Sequence, residues 1–129
     1  MNSDSCPFCT LPRTRIVSEN EHAVLVADAY PVTAGHMLVI PKRHVGSFFN
    51  ATSVERSALL ELLDAAKVMI DMEHRPDGYN IGFNDGSAAG QTVPHLHIHL
   101  MPRYAGNEAD PRGGVRWVIP EKADYWSRR

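Results

Sequence analysis

Three histidines alternate with aliphatic residues over residues 95–100 (HLHIHL), and this run constrains the fold more than any other stretch. In a β-strand successive side chains point to opposite faces, so the histidines share one face and the aliphatic residues share the other. A register slip of one residue would bury the imidazoles and expose the aliphatic side chains, so the register is strongly fixed. The run predicts a strand at residues 96–101 whose aliphatic face packs under a helix and whose histidines line an open face.

Periodicity along the rest of the chain predicts one long helix among short strands. Thr52 and Glu55 have the spacing of a capping box, and apolar residues recur behind them at intervals of three and four, which predicts a helix over residues 53–74. Apolar and β-branched segments predict further strands at residues 15–18, 22–27, 36–40 and 79–83, and a short one at 115–119. This order indicates an α+β domain with about five strands in a mostly antiparallel sheet, one long helix and short helical turns.

Length and composition limit the classes of protein to which the chain can belong. Its 129 residues suit one domain over residues 1–129, and 43% hydrophobic residues predict a folded core. The formal net charge of -2 excludes a broad basic surface for nucleic acid. The longest apolar run, residues 23–27, is too short for a membrane span, and the first ten residues lack the cations of a secretory leader. We expect a cytoplasmic protein that binds neither nucleic acid nor membrane.

The histidine run and the loop before it have several interpretations. Imidazoles two residues apart on a strand can chelate one metal ion. A neutral imidazole can instead attack phosphorus when a hydrogen bond at its other nitrogen fixes the tautomer. A solvated face that is merely rich in histidine is the third interpretation. Residues 84–92 supply small and hydrogen-bonding groups suited to phosphate oxygens, although an ordinary turn has similar composition.

Cys6 and Cys9 form a CxxC pair near the start of the chain. Two thiolates at this spacing are typical of a zinc site, but no second CxxC follows, so any further ligands must be histidines. A redox pair or two unligated thiols remain the competing interpretation.

The segment GQTVPHLHIHLMPR, residues 90–103, resembles the signature of the histidine triad (HIT) superfamily. Asp28, the segment GHMLVIPKRH at 35–44 and the tripeptide NDG at 84–86 also stand in the family's order. The likeness covers about residues 6–103 and leaves residues 104–129 as a C-terminal extension. It implies a single HIT domain that hydrolyses or transfers nucleotides, cleaving nucleoside phosphoramidates or dinucleoside polyphosphates at the α-phosphate through a nucleotidyl-histidine intermediate.

The resemblance also implies catalytic roles. His97 resembles the nucleophile, and the backbone carbonyl of Gly90 is expected to accept the proton on its second nitrogen. His99 resembles the residue that contacts the phosphate or the leaving group, with Thr92 and Asn84 as donors to oxygens or to the leaving atom. The full catalytic set expected from the resemblance is His97, His99, His95, Gly90, Thr92 and Asn84.

On the substrate side, Asp28 resembles the acid that accepts the ribose hydroxyls of a purine nucleotide. The base pocket is expected to be apolar, built from residues such as Val24, Val26 and Leu38. The expected substrate-binding set is Asp28, His36, Asn84, Gln91, Thr92 and His99.

A CxxC subset of the superfamily places zinc between the two cysteines and two histidines, which correspond here to His44 and His95. Four such ligands leave no position open for water, so the resemblance implies a structural zinc held by Cys6, Cys9, His44 and His95. Family members are usually homodimers, and we expect one here.

Two rival functions stay open from the sequence. The first is a metal-dependent hydrolase in which His95, His97 and His99 together bind a catalytic ion. The second is a nucleotide sensor or scaffold that binds a nucleotide without turning it over.

Overall fold

The computed structural model describes residues 4–127 and contains five strands and one long helix. The strands are β1 (Ile16–Glu19), β2 (Ala23–Ala27), β3 (Met37–Pro41), β4 (Gly78–Gly82) and β5 (Ile98–Arg103), and the helix is α1 (Ser53–His74). Short 3₁₀ turns occupy several connections. Within the described part of the chain, none of the helices combines the length and apolar character needed to cross a bilayer.

The five strands form one sheet in the order β1-β2-β3-β5-β4, and every neighbouring pair is antiparallel. The last strand in sequence therefore lies inside the sheet, between β3 and β4. This arrangement confirms the predicted α+β class, with its antiparallel sheet and single long helix.

The two faces of the sheet bury different layers. On the helix face, Leu59, Leu62 and Ala66 of α1 pack with the aliphatic residues of the histidine run, Leu96, Ile98 and Leu100. The opposite face has a smaller apolar layer of Val24, Val26, Leu38 and Ile40, against which Phe8, Leu11 and Ile16 pack. The prediction that the aliphatic side of the run packs under a helix is confirmed.

Three details of the predicted fold are wrong. First, β5 begins at Ile98, so His95 and His97 precede the strand. The strand cannot start earlier because Pro94 has no N–H and the N–H of His95 closes a turn onto Val93. Second, the histidine face is not open: His95 is 0% exposed and His97 9% exposed, because the N-terminal segment covers them.

Third, residues 115–119 do not form a strand. The segment lies in a 3₁₀ turn, Gly114–Val118, followed by a second turn that begins at Pro120. Gly113 and Gly114 both have positive φ, which turns the backbone away from an extended path before the segment begins.

The start of α1 is tied to the loop that follows β3. Thr52 and Glu55 form the predicted capping box. The Glu55 carboxylate also accepts two hydrogen bonds of 2.9 Å from the Arg43 guanidinium. These Arg43 bonds, opposed by burial, hold the pKa of Glu55 at about 2.

We expect Glu55→Gln to lower the free energy of unfolding by about 1 to 2 kcal/mol at pH 7, since the amide can still cap Thr52 but loses the ion pair with the half-exposed Arg43. A carboxylate whose pKa is lowered by folding stabilises the protein above its unfolded-state pKa, and this contribution disappears as the pH falls from about 4.5 towards 2. Denaturant unfolding at a series of pH values measures the difference. It should shrink at acid pH, whereas the exposed Glu61→Gln should change little throughout; a difference independent of pH would contradict the assignment.

Candidate active site and metal cluster

Four potential metal ligands meet where the N-terminal segment crosses the histidine run. A turn in which the N–H groups of Cys9 and Thr10 both reach the Cys6 carbonyl places the two thiols on one side. His44 comes from the loop after β3, and His95 comes from the turn before β5. The ligand atoms of Cys6, Cys9, His44 and His95 all lie within 4.8 Å of one another.

The distances in this cluster suit a tetrahedral ion. Nδ1 of His95 lies 3.4 Å from each sulfur, and Nδ1 of His44 lies 3.1 Å from Cys9 Sγ and 3.2 Å from His95 Nδ1. Ligands at ordinary zinc–sulfur and zinc–nitrogen distances stand roughly 3.3 to 3.8 Å apart in a tetrahedron. His95 Nε2 lies 2.8 Å from the Pro41 carbonyl, to which it donates, so Nδ1 presents its lone pair to the cluster. The donor set therefore fits a closed four-ligand site.

The Cys9 thiol lacks the lowered pKa of a redox-active cysteine. Burial and the neighbouring Cys6 thiol raise the pKa of Cys9 to about 11. A reactive CxxC cysteine depends instead on a lowered pKa, which keeps thiolate present at neutral pH. The grouping of four donor atoms within 4.8 Å of one another is what favours metal ligation at this pair.

The tautomer of His97 is fixed by the backbone. Its Nδ1 lies 2.8 Å from the carbonyl oxygen of His95, and because a carbonyl only accepts, Nδ1 carries the proton. Nε2 is left with its lone pair, as an imidazole nucleophile requires.

The expectation that the Gly90 carbonyl accepts this proton is wrong. Gly90 ends the 3₁₀ turn Ser87–Ala89 with φ +93°, and it is exposed. The carbonyl that lies beside the His97 ring is that of His95, two residues earlier in the chain. The control of the tautomer that the resemblance implied is present, but His95 supplies it.

A second chain of hydrogen bonds fixes His99. The backbone N–H of Val32 donates to Nδ1 of His36 at 3.1 Å, so the neutral His36 carries its proton on Nε2. That nitrogen lies 3.0 Å from His99 Nδ1, which must accept. His99 therefore holds its own proton on Nε2, where it is available as a donor.

The charges around this pair are modest. Burial lowers the pKa of His36, opposed by Asp28, whose Oδ2 lies 3.4 Å from His36 Nε2. Burial also lowers the pKa of His99, and the neighbouring His97 and His36 lower it further. Both rings are therefore neutral at pH 7, and the N–H of His99 is an uncharged hydrogen-bond donor.

The three histidines of the run do not converge on one ion. Both ring nitrogens of His95 are directed elsewhere, one at the cysteines and one at Pro41. His97 uses Nδ1 on the backbone, and His99 uses Nδ1 on His36. Among the described residues, the groups that could hold a metal are the Cys2His2 cluster and the Asp28, His36 and His99 set, and neither combines all three.

The loop before the run holds Asn84 and Thr92 at the surface. Gln91, which is expected to bind substrate, braces this loop: its Oε1 accepts from Gly86 N–H at 2.8 Å and its Nε2 donates to the Gly46 carbonyl at 2.9 Å. Both ends of the amide are occupied, because the loop packs against the segment that follows His44.

Other parts of the site could not be found from spacing. The ring of Phe8 packs 5.0 Å from that of His97, centroid to centroid, and the backbone groups of Val32 and Pro41 set two tautomers. Val24, Val26 and Leu38, expected to line a base pocket, are buried beneath the covering residues Phe8, Leu11 and Ile16. A base bound on this face would therefore contact the covering residues and not the strand residues beneath them.

Comparisons with known proteins show what the chain is similar to. A sequence profile described as the HIT domain matches residues 12–106. An uncharacterized HIT-like protein of Mycoplasma genitalium is 40% identical over 106 residues, which are 79% of this chain and 75% of that protein. An AP-4-A phosphorylase of Mycobacterium tuberculosis is 33% identical over 127 residues (92% and 65%), and a bis(5'-adenosyl)-triphosphatase of Saccharomyces cerevisiae is 29% identical over 113 residues (87% and 52%).

Solved structures give the same result. A HIT family protein from Bacillus anthracis superposes with a TM-score of 0.76 at 38% identity, covering 82% of this chain and 78% of that one. A zinc-bound histidine triad family protein from Mycobacterium smegmatis superposes with a TM-score of 0.73 at 31% identity, covering 99% and 100%.

The tautomers can be measured by long-range ¹H–¹⁵N NMR of the ring nitrogens at pH 7.5. We expect the proton on Nδ1 of His97 and on Nε2 of both His36 and His99. In His36→Phe, His99 should populate both tautomers, because its Nδ1 loses its donor, whereas the exposed His22→Gln should leave His99 unchanged. A His99 that carries its proton on Nδ1 in the unmodified protein would contradict the hydrogen-bond chain.

Proposed function

The chain belongs to the HIT domain family, and from this premise we propose that it is a hydrolase or transferase that cleaves nucleoside phosphoramidates or dinucleoside polyphosphates at the α-phosphorus. One observation carries the proposal: the His95 carbonyl holds the proton of His97 on Nδ1 and leaves Nε2 free to attack. Relatives named as a phosphorylase and a triphosphatase of adenosine compounds support the substrate class.

The reaction follows in two displacements. Nε2 of His97 forms a bond to phosphorus while the bond from phosphorus to the leaving group breaks, and the departing atom keeps that electron pair and takes up one proton from solvent. Water then adds to phosphorus, the bond to His97 breaks, and the water's surplus proton returns to solvent. The products are a nucleoside monophosphate and the free leaving group.

Neighbouring residues supply donors and acceptors for these steps. The Nε2–H of His99 donates to a phosphate oxygen or to the leaving atom as negative charge develops. Asn84 and Thr92, exposed on the loop before the run, are proposed as further donors. Asp28 keeps acceptor capacity for ribose hydroxyls, since its Oδ1 accepts one bond from Tyr30 N–H. We place the purine base against the covering residues Phe8, Leu11 and Ile16.

We further propose that Cys6, Cys9, His44 and His95 hold a structural zinc ion. When bound, the ion would tie the N-terminal segment to the turn that carries His95, whose carbonyl orients the nucleophile. The donor set and its spacing support this role, as does the likeness to a zinc-bound relative.

A second copy of the chain is the partner that we propose for the outer edge of β4. This strand ends the sheet, and end strands present unpaired backbone groups. Ile81 on the strand and Leu60, Val68 and Met72 on α1 are all exposed. Pairing two β4 edges would continue the sheet and bury apolar side chains of this kind.

His97→Ala should reduce kcat/KM for adenosine 5'-phosphoramidate by at least about 1,000-fold, because no other side chain replaces the nucleophile. Mass spectrometry of alkaline-quenched protein should detect one nucleotidyl group on the unmodified chain and none on the variant. His22→Ala, a histidine outside the site, serves as the control. Unchanged turnover in His97→Ala would refute the mechanism, and nucleotide binding without turnover or adduct in the unmodified protein would indicate a sensor.

Elemental analysis of the purified protein should find about one zinc per chain, lost in the Cys6→Ser/Cys9→Ser double variant together with thermal stability. His99→Ala should keep the metal, since it lies outside the Cys2His2 cluster. The metal-dependent hydrolase would be favoured instead if the metal is lost when His97 or His99 is replaced, and if a chelator abolishes activity while the fold survives.

A further inference from the structure

A cavity of about 320 Å³ lies beside His99 on the histidine face of the sheet, and no role has yet been given to it. Three separate segments build its apolar wall: the loop before β3, the strand β5 and the C-terminal 3₁₀ turn. These contribute Val32, Met101, Val115 and Val118. Ile81 and Phe83 also border the cavity, but Ile81 pairs with the helix-side Leu100 and the Phe83 ring packs in the helix-side core. We call it the distal cavity.

Apolar side chains are unusually exposed around this cavity. Val32, Val115 and Val118 are 64%, 68% and 76% exposed, although they lie close to one another and to the proposed reacting groups. Apolar groups gathered beside a polar site indicate that something apolar covers them in the working state. The location suggests that the occupant belongs to the substrate.

The polar groups of the cavity are few. Among the described residues that line it, none is lysine, arginine, aspartate or glutamate. Both ring nitrogens of His36 are engaged, and Asn80 Oδ1 accepts from Arg103 at 2.7 Å. His99 and Asn84, the proposed donors at the leaving atom, and the amide nitrogen of Asn80 are the polar side-chain groups left to meet a ligand.

A polyphosphate leaving group suits this cavity poorly. Its charges would lose water without gaining a cation. The adjoining cavity of about 350 Å³ does contain Arg103, but its guanidinium donates to Asn80 and Asn107, and Glu108 lies in the same cavity. An aromatic or aliphatic group would instead bury apolar surface against the three valines and Met101.

The cavity also lies on the correct side of the reacting groups. It overlies β4 and β5, whereas the covering residues assigned to the base overlie β2 and β3, and His99 stands between the two regions. A nucleotide bound on the β3 side would direct its leaving group towards β4.

We propose that the distal cavity binds the leaving amine, and that it selects nucleoside phosphoramidates whose amine carries an aryl or alkyl group over dinucleoside polyphosphates. This inference rests on the function proposed above. In the first displacement the P–N bond breaks, and the amine departs with that electron pair and one proton from solvent, its substituent remaining in the cavity until release.

The test compares four substrates: adenosine 5'-phosphoramidate with ammonia, butylamine or 2-phenylethylamine as the leaving group, and diadenosine tetraphosphate. We expect kcat/KM for the phenylethylamine compound to exceed that for the ammonia compound by about tenfold or more, with the tetraphosphate the poorest substrate. Val118→Asp should reduce the preference to less than about threefold while changing the ammonia substrate less than about twofold. Val115→Asp and Val118→Ser are the second and third variants, and Val54→Asp, exposed on the first turn of α1, is the matched control.

The outcomes separate this inference from the proposed function. Three outcomes would overturn the cavity's role while leaving the reaction intact. The ammonia compound could be turned over with no preference among amines, or the preference could survive in the Val118 and Val115 variants. The third outcome is a higher kcat/KM for the tetraphosphate than for the phosphoramidates. If no compound is turned over, the proposed reaction fails. Calorimetry then measures the binding of the same four compounds. Tighter binding of the phenylethylamine compound that is lost in Val118→Asp would support the cavity's role. Equal binding of all four compounds would overturn it.

Discussion

The hydrogen bond between the His97 ring and the His95 carbonyl is the constraint on which the site depends. It can form only if the backbone at residue 95 is held still, and His95 is held through every polar group of its side chain. One ring nitrogen donates to Pro41, at the end of β3, and the other faces the two thiols and His44. A fully buried histidine in this position links the N-terminal segment, the sheet and the nucleophile in one rigid unit.

In both His97 and His99 a backbone group decides which ring nitrogen carries the proton, but the proton is on a different nitrogen in each ring. A backbone carbonyl places the proton of His97 on Nδ1, and a backbone N–H, acting through His36, places the proton of His99 on Nε2. In the reaction that we propose, the first ring is the nucleophile and the second is a donor, although the two side chains are chemically identical and only two residues apart. Each role is assigned by a backbone group and not by a charge, so it persists across the pH range in which the rings stay neutral.

Sequence reasoning located the elements and the residue types but not the partners of the side chains. The alternation at residues 95–100 correctly predicted which aliphatic residues enter the helix-side core, because a buried face admits only one register. It failed at Gly90, where the choice of carbonyl depends on how the chain turns before β5. It also failed at residues 115–119, where two glycines and a proline outweigh the β-branched composition. The hydrogen bond from Gln91 to Gly46 spans 45 residues of sequence and could not be found from spacing.

The absence of cations beside the proposed leaving group has a mechanistic consequence. Burial lowers the pKa of His36 and His99, so a phosphate beside them would meet neutral imidazoles, while the guanidinium of Arg103 in the adjoining cavity already donates to Asn80 and Asn107. Neutral donors bind a ground-state phosphate less tightly than ion pairs do, yet they strengthen as charge develops on the departing atom. A site of this kind would favour the transition state over the anionic product, and the monophosphate would leave without breaking a strong ion pair. Such a site would distinguish substrates by the apolar part of the leaving group, because burial of that part does not slow the release of phosphate.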